Sequence, residues 1–315
     1  MTGNHDGHWV RLAIVGPTAS GKSMLAAELA RRRPPAELLS MDAMAVYRNM
    51  DIGTGSPTAE EAAELPHHGV DLTDAASEYS VGEYLAAVRP LVLTHAARGT
   101  SLVAVGGTGL YARAVVDDLE IPGAYPEVRA ELEAEPDTAV LYERLQKCDP
   151  LAAERTGPVN RRRIVRALEV TVGSGRRFSS HGQGLRRYGP SRFTQVGLRL
   201  PRPLLDARIA ARFRQQLDAG FLEEARRLRD ASLGLSRTAR CALGYRELLG
   251  YLDGRCSLEE AIQDAVQRTR RFARRQERWF GRDPRITWLD VEEDPWEVFG
   301  ELMAIFDRSR LSPAR

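Results

Sequence analysis

The sequence predicts an α/β protein: a parallel sheet with helices on both faces, into which an all-helical domain is inserted. Short apolar runs alternate with helical patterns over residues 10–119, and a glycine-rich loop joins the first run to the first helix. Residues 121–191 contain helical patterns only. Strands that alternate with helices form parallel sheets buried on both faces. We therefore expect a core domain over 1–120 and 192–315 and an insertion domain over 121–191.

The predicted core begins with three strand–helix pairs. Each strand is a short apolar run, as is typical of buried parallel strands, and each helix shows apolar residues at helical spacing. The strands are VRLAIV (10–15), ELLSMD (37–42) and SLVAVGG (101–107), and the helices are 22–33, 80–99 and 108–119. We expect Pro90 to kink the second helix.

The rest of the core follows the insertion. FTQVGLRL (193–200) and ITWLD (286–290) have strand character, and long helical patterns lie between them. A last helix is predicted from PWEVFGELMAIFDR (295–308).

Composition limits the class of protein. The chain has 315 residues, of which 43% are hydrophobic and 28% charged, as expected for a globular protein. No apolar stretch is long enough to span a membrane, and residues 1–16 carry no pattern of an export signal. Three cysteines without close spacing favour a reducing, cytoplasmic compartment. The net charge of +2 means that a nucleic acid would have to bind local basic patches.

Residues 16–23, GPTASGKS, match the phosphate-loop pattern G-x-x-x-x-G-K-[ST] between a predicted strand and a predicted helix. Backbone N–H groups of such a loop bind phosphate oxygens, the lysine adds a charge, and the serine hydroxyl can bind Mg²⁺. Lys22 is one of only two lysines in a chain whose other basic residues are arginines. The motif, common in ATP-binding proteins, predicts a bound di- or triphosphate in a P-loop NTPase-like core and does not identify a nucleotide.

Two features near the predicted loop point away from ATP hydrolysis. The third strand ends in Gly106-Gly107-Thr108, where a hydrolase usually carries a magnesium-binding acid. The small residues indicate either close approach of a ligand or tight packing of strand against helix. Asp42 follows the second strand, at the sheet edge where ligands bind. It is a candidate general base for an acceptor, and otherwise a turn or capping residue.

Arginine clusters are the third feature. Arginines interleaved with aromatic residues suit RNA phosphates and unstacked bases, although runs of charge are often only solvated faces. Arg208 and Arg212 share one helical face and could close over a diphosphate. The adjacent His67 and His68 are a weak candidate for a metal site. The RNA-type clusters are Arg161, Arg162, Arg163 and Arg166, and then Arg268, Arg270, Arg271, Arg274, Arg275, Arg278 and Arg282 with Phe272, Trp279 and Phe280.

An ordered set of motifs resembles bacterial tRNA dimethylallyltransferases, the isopentenyl-diphosphate:tRNA transferase family. The resemblance covers residues 11 to about 282. The motifs are GPTASGKS, SMDAMAVYRNMDIGTGSPT, LPHHGVDLTDAASEYSVGEY, VAVGGTGLYARAVVDDL, RRIVRALEV, ALGYRELLGYLDG and FARRQERWF. The phosphate loop by itself is common, whereas the ordered set is specific to the family.

The resemblance implies a role for each matching residue. Gly16, Pro17, Thr18, Ala19, Ser20, Gly21, Lys22, Ser23 and Arg212 would hold the diphosphate of dimethylallyl diphosphate, with Mg²⁺ on Ser23. Lys22 and Ser23 would act in catalysis with Asp42, the base that contacts the target amine. The residues that would contact tRNA are Asp42, Ala43, Met44, Ala45, Thr108, Arg129, Arg162, Arg163, Arg166, Cys241, Gly244, Tyr245, Arg246, Arg274, Arg275, Gln276, Arg278 and Trp279.

The chain departs from the family pattern at four positions. Ala43 and Ala45 replace the usual serine and glutamine or leucine after the aspartate, Ser56 replaces a common lysine, and Cys241 replaces a frequent glutamine. Contacts at these positions are therefore open, whereas the assignment of Asp42 is not affected.

The resemblance implies an enzyme that transfers a dimethylallyl group to the exocyclic amine of the adenosine 3′-adjacent to the anticodon. Its partners would be dimethylallyl diphosphate and the anticodon stem-loop of tRNA, and we expect it to act as a monomer. A prenyltransferase acting on free adenine nucleotides and a P-loop kinase are the alternatives. The arginine–aromatic helix over 268–282 speaks against both, because a small acceptor does not need it.

Overall fold

A computed structural model describes residues 9–182, 184–185 and 187–311, which divide into two compact units with boundaries after Asp117 and after Gly189. Residues 1–8, which contribute to the expectation of no export signal, lie outside this range. None of the described helices is both long and apolar enough to cross a membrane. Binding of tRNA by the second unit, residues 118–189, stays a prediction.

The first unit is built on a six-stranded parallel sheet with the strand order β3-β2-β4-β1-β5-β6. The five strands predicted from apolar runs all form. A two-residue edge strand, β3, is too short to leave a pattern in the sequence. The strands are β1 (Arg11–Val15), β2 (Ala36–Ser40), β3 (His67–His68), β4 (Ser101–Gly106), β5 (Thr194–Arg199) and β6 (Ile286–Asp290).

Alternate residues of β1 pack into two different hydrophobic clusters. Leu12 and Ile14 belong to one cluster, and Ala13 and Val15 belong to the other. Successive side chains of a strand point to opposite faces, so both faces of the sheet are buried. This explains why the strands read as continuous apolar runs.

Helices cover the sheet of the first unit. Several begin with the capping residues that the sequence displays: Ser80 with Glu83 and Ser257 with Glu260 each form a reciprocal capping box. The helices are α1 (Lys22–Arg32), α2 (Asp51–Thr54), α3 (Ala59–Glu64), α4 (Val81–Thr94) and α5 (Gly109–Val116), and after the second unit α10 (Arg202–Asp218), α11 (Phe221–Asp230), α12 (Arg237–Arg240), α13 (Tyr245–Leu252), α14 (Leu258–Phe280) and α15 (Phe299–Leu311).

The second unit is helical, and its own core is formed by Leu132, Leu145, Ile164 and Leu168 with their neighbours. Asp149 begins one of its helices, where its carboxylate accepts a hydrogen bond from Ala152 N at 3.1 Å. The helices are α6 (Pro126–Ala134), α7 (Thr138–Cys148), α8 (Pro150–Thr156) and α9 (Arg161–Ser174), followed by a 3₁₀ turn at Phe178–Ser180.

Some predicted boundaries were wrong. The second strand ends at Ser40, so Asp42 lies in the loop beyond it, and the helix through Pro90 ends at Thr94 instead of residue 99. The last helix begins as a 3₁₀ turn over Pro295–Val298. The short α2 and α3 were not predicted, although Thr58 and Glu61 form a capping box that the sequence displays.

Candidate active site

The phosphate loop connects the end of β1 to the start of α1. Three of its residues have positive φ: Gly16 (148°), Ala19 (63°) and Gly21 (88°). A Cβ on Gly16 would lie 3.0 Å from the Leu198 carbonyl oxygen, and one on Gly21 would lie 2.6 Å from Pro295 Cγ. Only glycine fits both the backbone conformation and the space at these two positions.

A cavity of about 390 Å³ opens beside the loop and the start of α1. Its polar wall is formed by Lys22, Ser23, Arg208, Arg212 and Gln215. Three of these five side chains are cationic. The apolar part of the wall comprises Ala19, Met24 and Ala211. The cavity therefore combines an anion-binding side with a small apolar side.

Lys22 is 8% exposed, and its Nζ donates a hydrogen bond to the Pro17 carbonyl at 3.0 Å. Burial lowers the pKa of Lys22 to about 8; the Arg212 charge acts in the same direction and the Asp42 carboxylate in the opposite one. A bound diphosphate would replace lost solvation and favour the charged ammonium. An anion bound at this site would therefore stabilise the charged form of Lys22.

The two arginines predicted to face a diphosphate both come from α10. Arg208 Nε donates to the Ala19 carbonyl at 3.0 Å, which ties this side chain to the phosphate loop. An Arg212 guanidinium N–H donates to the Thr54 carbonyl at 3.2 Å. The pKa of Arg212 is lowered by burial, and the charge of Asp42 partly opposes this shift. The charged side chains of both elements converge on one cavity.

The oxygen donor at the cavity fits a magnesium ion that would take most of its other ligands from substrate phosphates and water. The exposed Ser23 hydroxyl lines the cavity, and oxygen is the ligand atom that Mg²⁺ prefers. Within the described ranges, no three His, Cys, Asp or Glu side chains form a metal-binding group. His68 Nε2 lies 2.9 Å from Glu37 Oε2, and His67 Nδ1 lies 2.6 Å from the Leu65 carbonyl. Both histidines thus have partners within the fold.

Asp42 lies just beyond β2 and is half-buried. Its Oδ1 accepts a hydrogen bond from the Met44 backbone N–H at 2.8 Å, and no described residue donates to Oδ2. The adjacent Ala43 N–H donates to the Thr108 hydroxyl oxygen at 3.1 Å. The loops after β2 and β4 are joined in this way, and one carboxylate oxygen stays available to a ligand.

Tight packing explains the glycines that end β4. A Cβ on Gly106 would lie 2.3 Å from the Met41 carbonyl oxygen, and one on Gly107 would lie 2.3 Å from Gln276 Nε2. A Cβ on Gly109 would meet the Trp279 ring at 2.3 Å. Of the two interpretations of these small residues, the structure supports packing of protein on protein.

The predicted tRNA contacts separate by exposure. Gln276 and Tyr245 are buried, and their side chains contact protein instead of solvent. Gln276 accepts from Thr18 N and donates to the Gly107 carbonyl, while the Tyr245 hydroxyl donates to Glu224. The exposed candidates are Arg162, Arg163, Cys241, Arg246, Arg274, Arg275 and Arg278, the half-buried ones are Asp42, Ala43, Met44, Thr108, Arg129, Arg166 and Trp279, and the remaining buried ones are Ala45 and Gly244.

Arg129 and Arg166 form hydrogen bonds and ion pairs within the second unit. Arg166 donates to Glu169 at 2.8 Å and to the Pro122 carbonyl at 2.8 Å. Arg129 lies 3.5 Å from the other Glu169 carboxylate oxygen and donates to Glu133. By contrast, Arg162 and Arg163 are exposed on α9 and pair with no acid among the described residues. These two are therefore freer to bind a phosphate.

Sequence reasoning missed Glu224, which is 2% exposed in α11. Its carboxylate accepts hydrogen bonds from the backbone N–H groups of Asp51, Ile52 and Gly53 at 2.9–3.1 Å, and from the Tyr245 hydroxyl at 2.5 Å. Glu224 thus fixes the start of α2, whose Thr54 carbonyl binds Arg212. In the sequence Glu224 is one acid on an amphipathic helix, and no local pattern indicates its contacts with α2.

The loop, the cationic cavity and the available carboxylate define a P-loop-like α/β protein with a cavity whose charge suits a diphosphate-type anion. The IPP transferase family model matches residues 45–283, and the isopentenyl transferase model matches residues 10–68. The chain belongs to the IPP transferase family, which confirms the resemblance seen in its motifs.

Two relatives show the extent of the similarity. The chain is 45% identical over 287 residues to the tRNA dimethylallyltransferase of Bifidobacterium longum (strain NCC 2705), covering 89% of this chain and 86% of the relative. It is also 45% identical over 289 residues to that of Thermobifida fusca (strain YX), covering 89% and 90%.

Solved structures agree on the fold. The Bacillus halodurans tRNA isopentenylpyrophosphate transferase matches with a TM-score of 0.70 and 35% identity, over 96% of this chain and 97% of that one. A eukaryotic dimethylallyltransferase acting on tRNA matches with a TM-score of 0.78 over 98% of this chain and 80% of that one. At 24% identity the second match supports the fold alone. The predicted fold class is confirmed.

Proposed function

We propose that the protein transfers a dimethylallyl group from dimethylallyl diphosphate to the exocyclic amine of the adenosine 3′-adjacent to the anticodon in tRNA. The observation that carries the proposal is a cavity lined by Lys22, Arg208 and Arg212, together with the Asp42 carboxylate, whose charge acts on both Lys22 and Arg212. The names of the relatives, tRNA dimethylallyltransferases, supply the class of both substrates.

The phosphate loop and the α10 arginines hold the leaving group. The bond between the allylic carbon and the diphosphate oxygen breaks, and the electron pair leaves on the diphosphate. The loop N–H groups, Lys22 and Arg212 stabilise this charge. Ser23 would hold Mg²⁺, which would supply further charge neutralisation.

Asp42 serves the acceptor. The amine nitrogen of adenine forms the new bond to the allylic carbon and loses a proton, which passes to the available Oδ2 of Asp42. The hydrogen bond from Met44 N to Oδ1 orients the carboxylate for this task. An adenine within a stacked loop cannot reach the site, so the nucleotide must turn out of the stack.

The tRNA itself would bind to the exposed arginines of the first unit, Arg246, Arg274, Arg275 and Arg278, and of the second unit, Arg162 and Arg163. Arg275 lies with its guanidinium carbon 5.6 Å from the centre of the Phe272 ring, which keeps an aromatic face beside a charge. We include in the proposal that the enzyme acts as a monomer in the cytoplasm.

The decisive experiment offers labelled dimethylallyl diphosphate with Mg²⁺ to unmodified tRNA, free AMP and free ATP in parallel. We expect label on tRNA alone. Label on AMP or ATP would support a prenyltransferase of free nucleotides. Consumption of γ-labelled ATP without prenyl transfer would support a kinase and contradict the proposal.

A further inference from the structure

We propose that Gln276 is a positioning residue that couples tRNA binding on α14 to diphosphate binding in the phosphate loop. The proposal rests on the function proposed above and adds a linkage between the two substrate sites. The Gln276 side chain, 5% exposed, connects two elements that are far from it in sequence.

The first connection runs to the phosphate loop. Gln276 Oε1 accepts a hydrogen bond from the Thr18 backbone N–H at 2.9 Å. Thr18 lies in the middle of the loop Gly16–Gly21, whose N–H groups are expected to bind the diphosphate. A shift of Gln276 would therefore change the direction in which the loop presents its donors, and loop geometry governs the affinity of such a nest for anions.

The second connection runs to the turn after β4, which is hydrogen-bonded to the backbone next to Asp42. Gln276 Nε2 donates to the Gly107 carbonyl at 2.8 Å. The next residue, Thr108, binds Ala43 N–H, and Ala43 follows Asp42. One amide side chain thus contacts the leaving-group site directly and the acceptor site through a single turn.

The same helix presents arginines to solvent. Arg274, Arg275 and Arg278 are exposed within two residues of Gln276, whereas Gln276 and Ala273 point into the protein. Trp279 packs against Gly109, which fixes the helix on the turn after β4. RNA bound to the outer face of α14 would therefore restrict the motion of this helix. Gln276, on the inner face of the same helix, contacts the phosphate loop.

Linkage requires that the effect be mutual: if tRNA improves diphosphate binding by some factor, diphosphate improves tRNA binding by the same factor. This provides a readout that ordinary core packing would not change. A residue that only stabilises the fold changes the free energy of unfolding, or changes pyrophosphate affinity equally with and without tRNA. The ratio of these two pyrophosphate affinities therefore stays the same.

The test measures the dissociation constant of inorganic pyrophosphate with Mg²⁺, in the absence and presence of saturating unmodified tRNA. Pyrophosphate cannot donate a prenyl group, so the ternary complex does not react. For the unmodified protein we expect tRNA to tighten pyrophosphate binding by at least ~5-fold, in the range of measured couplings. In Gln276→Met we expect the ratio to fall below about 2-fold.

Gln263→Met is the matched control, because Gln263 is an exposed glutamine on the same helix whose side chain donates a hydrogen bond to Glu259, one turn away on that helix. It should keep the full ratio. If Gln276→Met does not fold, Gln276→Glu replaces it: the carboxylate can still accept from Thr18 N but cannot donate to Gly107. We expect this variant, too, to lose the coupling.

The outcomes separate the two proposals. If the unmodified protein binds pyrophosphate or tRNA but transfers no prenyl group to tRNA, the proposed function fails. If it transfers the group, yet shows no coupling, or keeps the coupling in the Gln276 variant, the function stands and the role of Gln276 is overturned.

Discussion

The Thr108 hydroxyl oxygen accepts a hydrogen bond from the backbone N–H of Ala43 across 65 residues of chain. Thr108 lies between β4 and α5, and Ala43 follows Asp42 in the loop beyond β2. Parallel strands place their carboxyl ends at one edge of the sheet, and this hydrogen bond joins two of them. It fixes the backbone next to the proposed base.

The first prediction concerns this contact. Thr108→Val keeps the shape but removes the acceptor, so Asp42 loses part of its support. We expect a rate at saturating substrates reduced by about fivefold, the equivalent of one net hydrogen bond of ~1 kcal/mol. Single-turnover prenyl transfer measures it. Thr108→Ser retains the hydroxyl and should retain most of the rate; an equal loss in both variants would contradict the assigned role.

The second prediction tests Asp42 as the general base. Asp42→Asn keeps Oδ1 as the acceptor for Met44 N, and so preserves the loop, but replaces the proton-accepting oxygen by an amide. We expect a loss of ~10²–10⁴-fold in single-turnover rate. Binding of pyrophosphate should hardly change. A rate within about threefold of the unmodified enzyme would exclude Asp42 as a general base that supplies even the smallest of these factors.

The third prediction follows from the pKa of Lys22, lowered to about 8 by burial. A bound diphosphate favours the ammonium form, so the pKa of Lys22 is higher in the complex than in the free protein. Above about pH 8 binding must take up a proton, and affinity should fall by up to ~tenfold per pH unit. Below that pH, Lys22 adds no dependence.

Pyrophosphate binding by the unmodified protein and by Lys22→Met, over pH 6 to 10, provides the measurement. The ligand's own titration is common to both proteins, so the difference between the curves reports Lys22. We expect weaker, flatter binding in the variant. Parallel curves would contradict the uptake of a proton by Lys22 on binding.

The fourth prediction concerns the exposed arginines of α14. Each phosphate contact to single-stranded RNA contributes ~0.7 to the slope of log affinity against log salt. Replacing Arg274, Arg275 and Arg278 by alanine should therefore flatten the slope by roughly two, with pyrophosphate binding retained. The measurement is tRNA affinity across a salt series.

The control for this series replaces three arginines that each pair with an acid on the surface: Arg199, Arg226 and Arg255. It removes the same formal charge and should leave the slope closer to that of the unmodified protein. Equal flattening in both triple variants would mean that general charge, and not the α14 face, attracts the RNA.

The fifth prediction concerns Glu224. Glu224→Ala leaves three partly buried N–H donors at the start of α2 without their carboxylate, which places each near the lower end of the ~1–3 kcal/mol cost of an unsatisfied buried donor. We expect a loss of about 3 kcal/mol or more in the free energy of unfolding, measured by urea denaturation. Glu223→Ala, at the exposed neighbour that pairs with Arg226, should change it by less than ~0.5 kcal/mol. Similar losses in both would contradict the role of Glu224.

Local sequence determined the strands, most of the long helices and the phosphate loop. β1 is apolar throughout because both faces of the sheet are covered, and Gly16 and Gly21 occur where the loop needs positive φ. Such features depend on backbone conformation and burial within a few residues, so they leave a pattern in the chain. The position of Asp42 after a strand was likewise visible as a sequence signal.

Only the tertiary structure decided which members of a motif face solvent and which face protein. Gln276 and Arg275 are neighbours in one arginine-rich segment, yet one is buried against Thr18, 258 residues away, and the other is exposed. Glu224 binds Asp51 across 173 residues, and Gly107 is small because Gln276 lies against it. Contacts between such distant positions arise only when the sheet and helices pack, and no local pattern of residues encodes them.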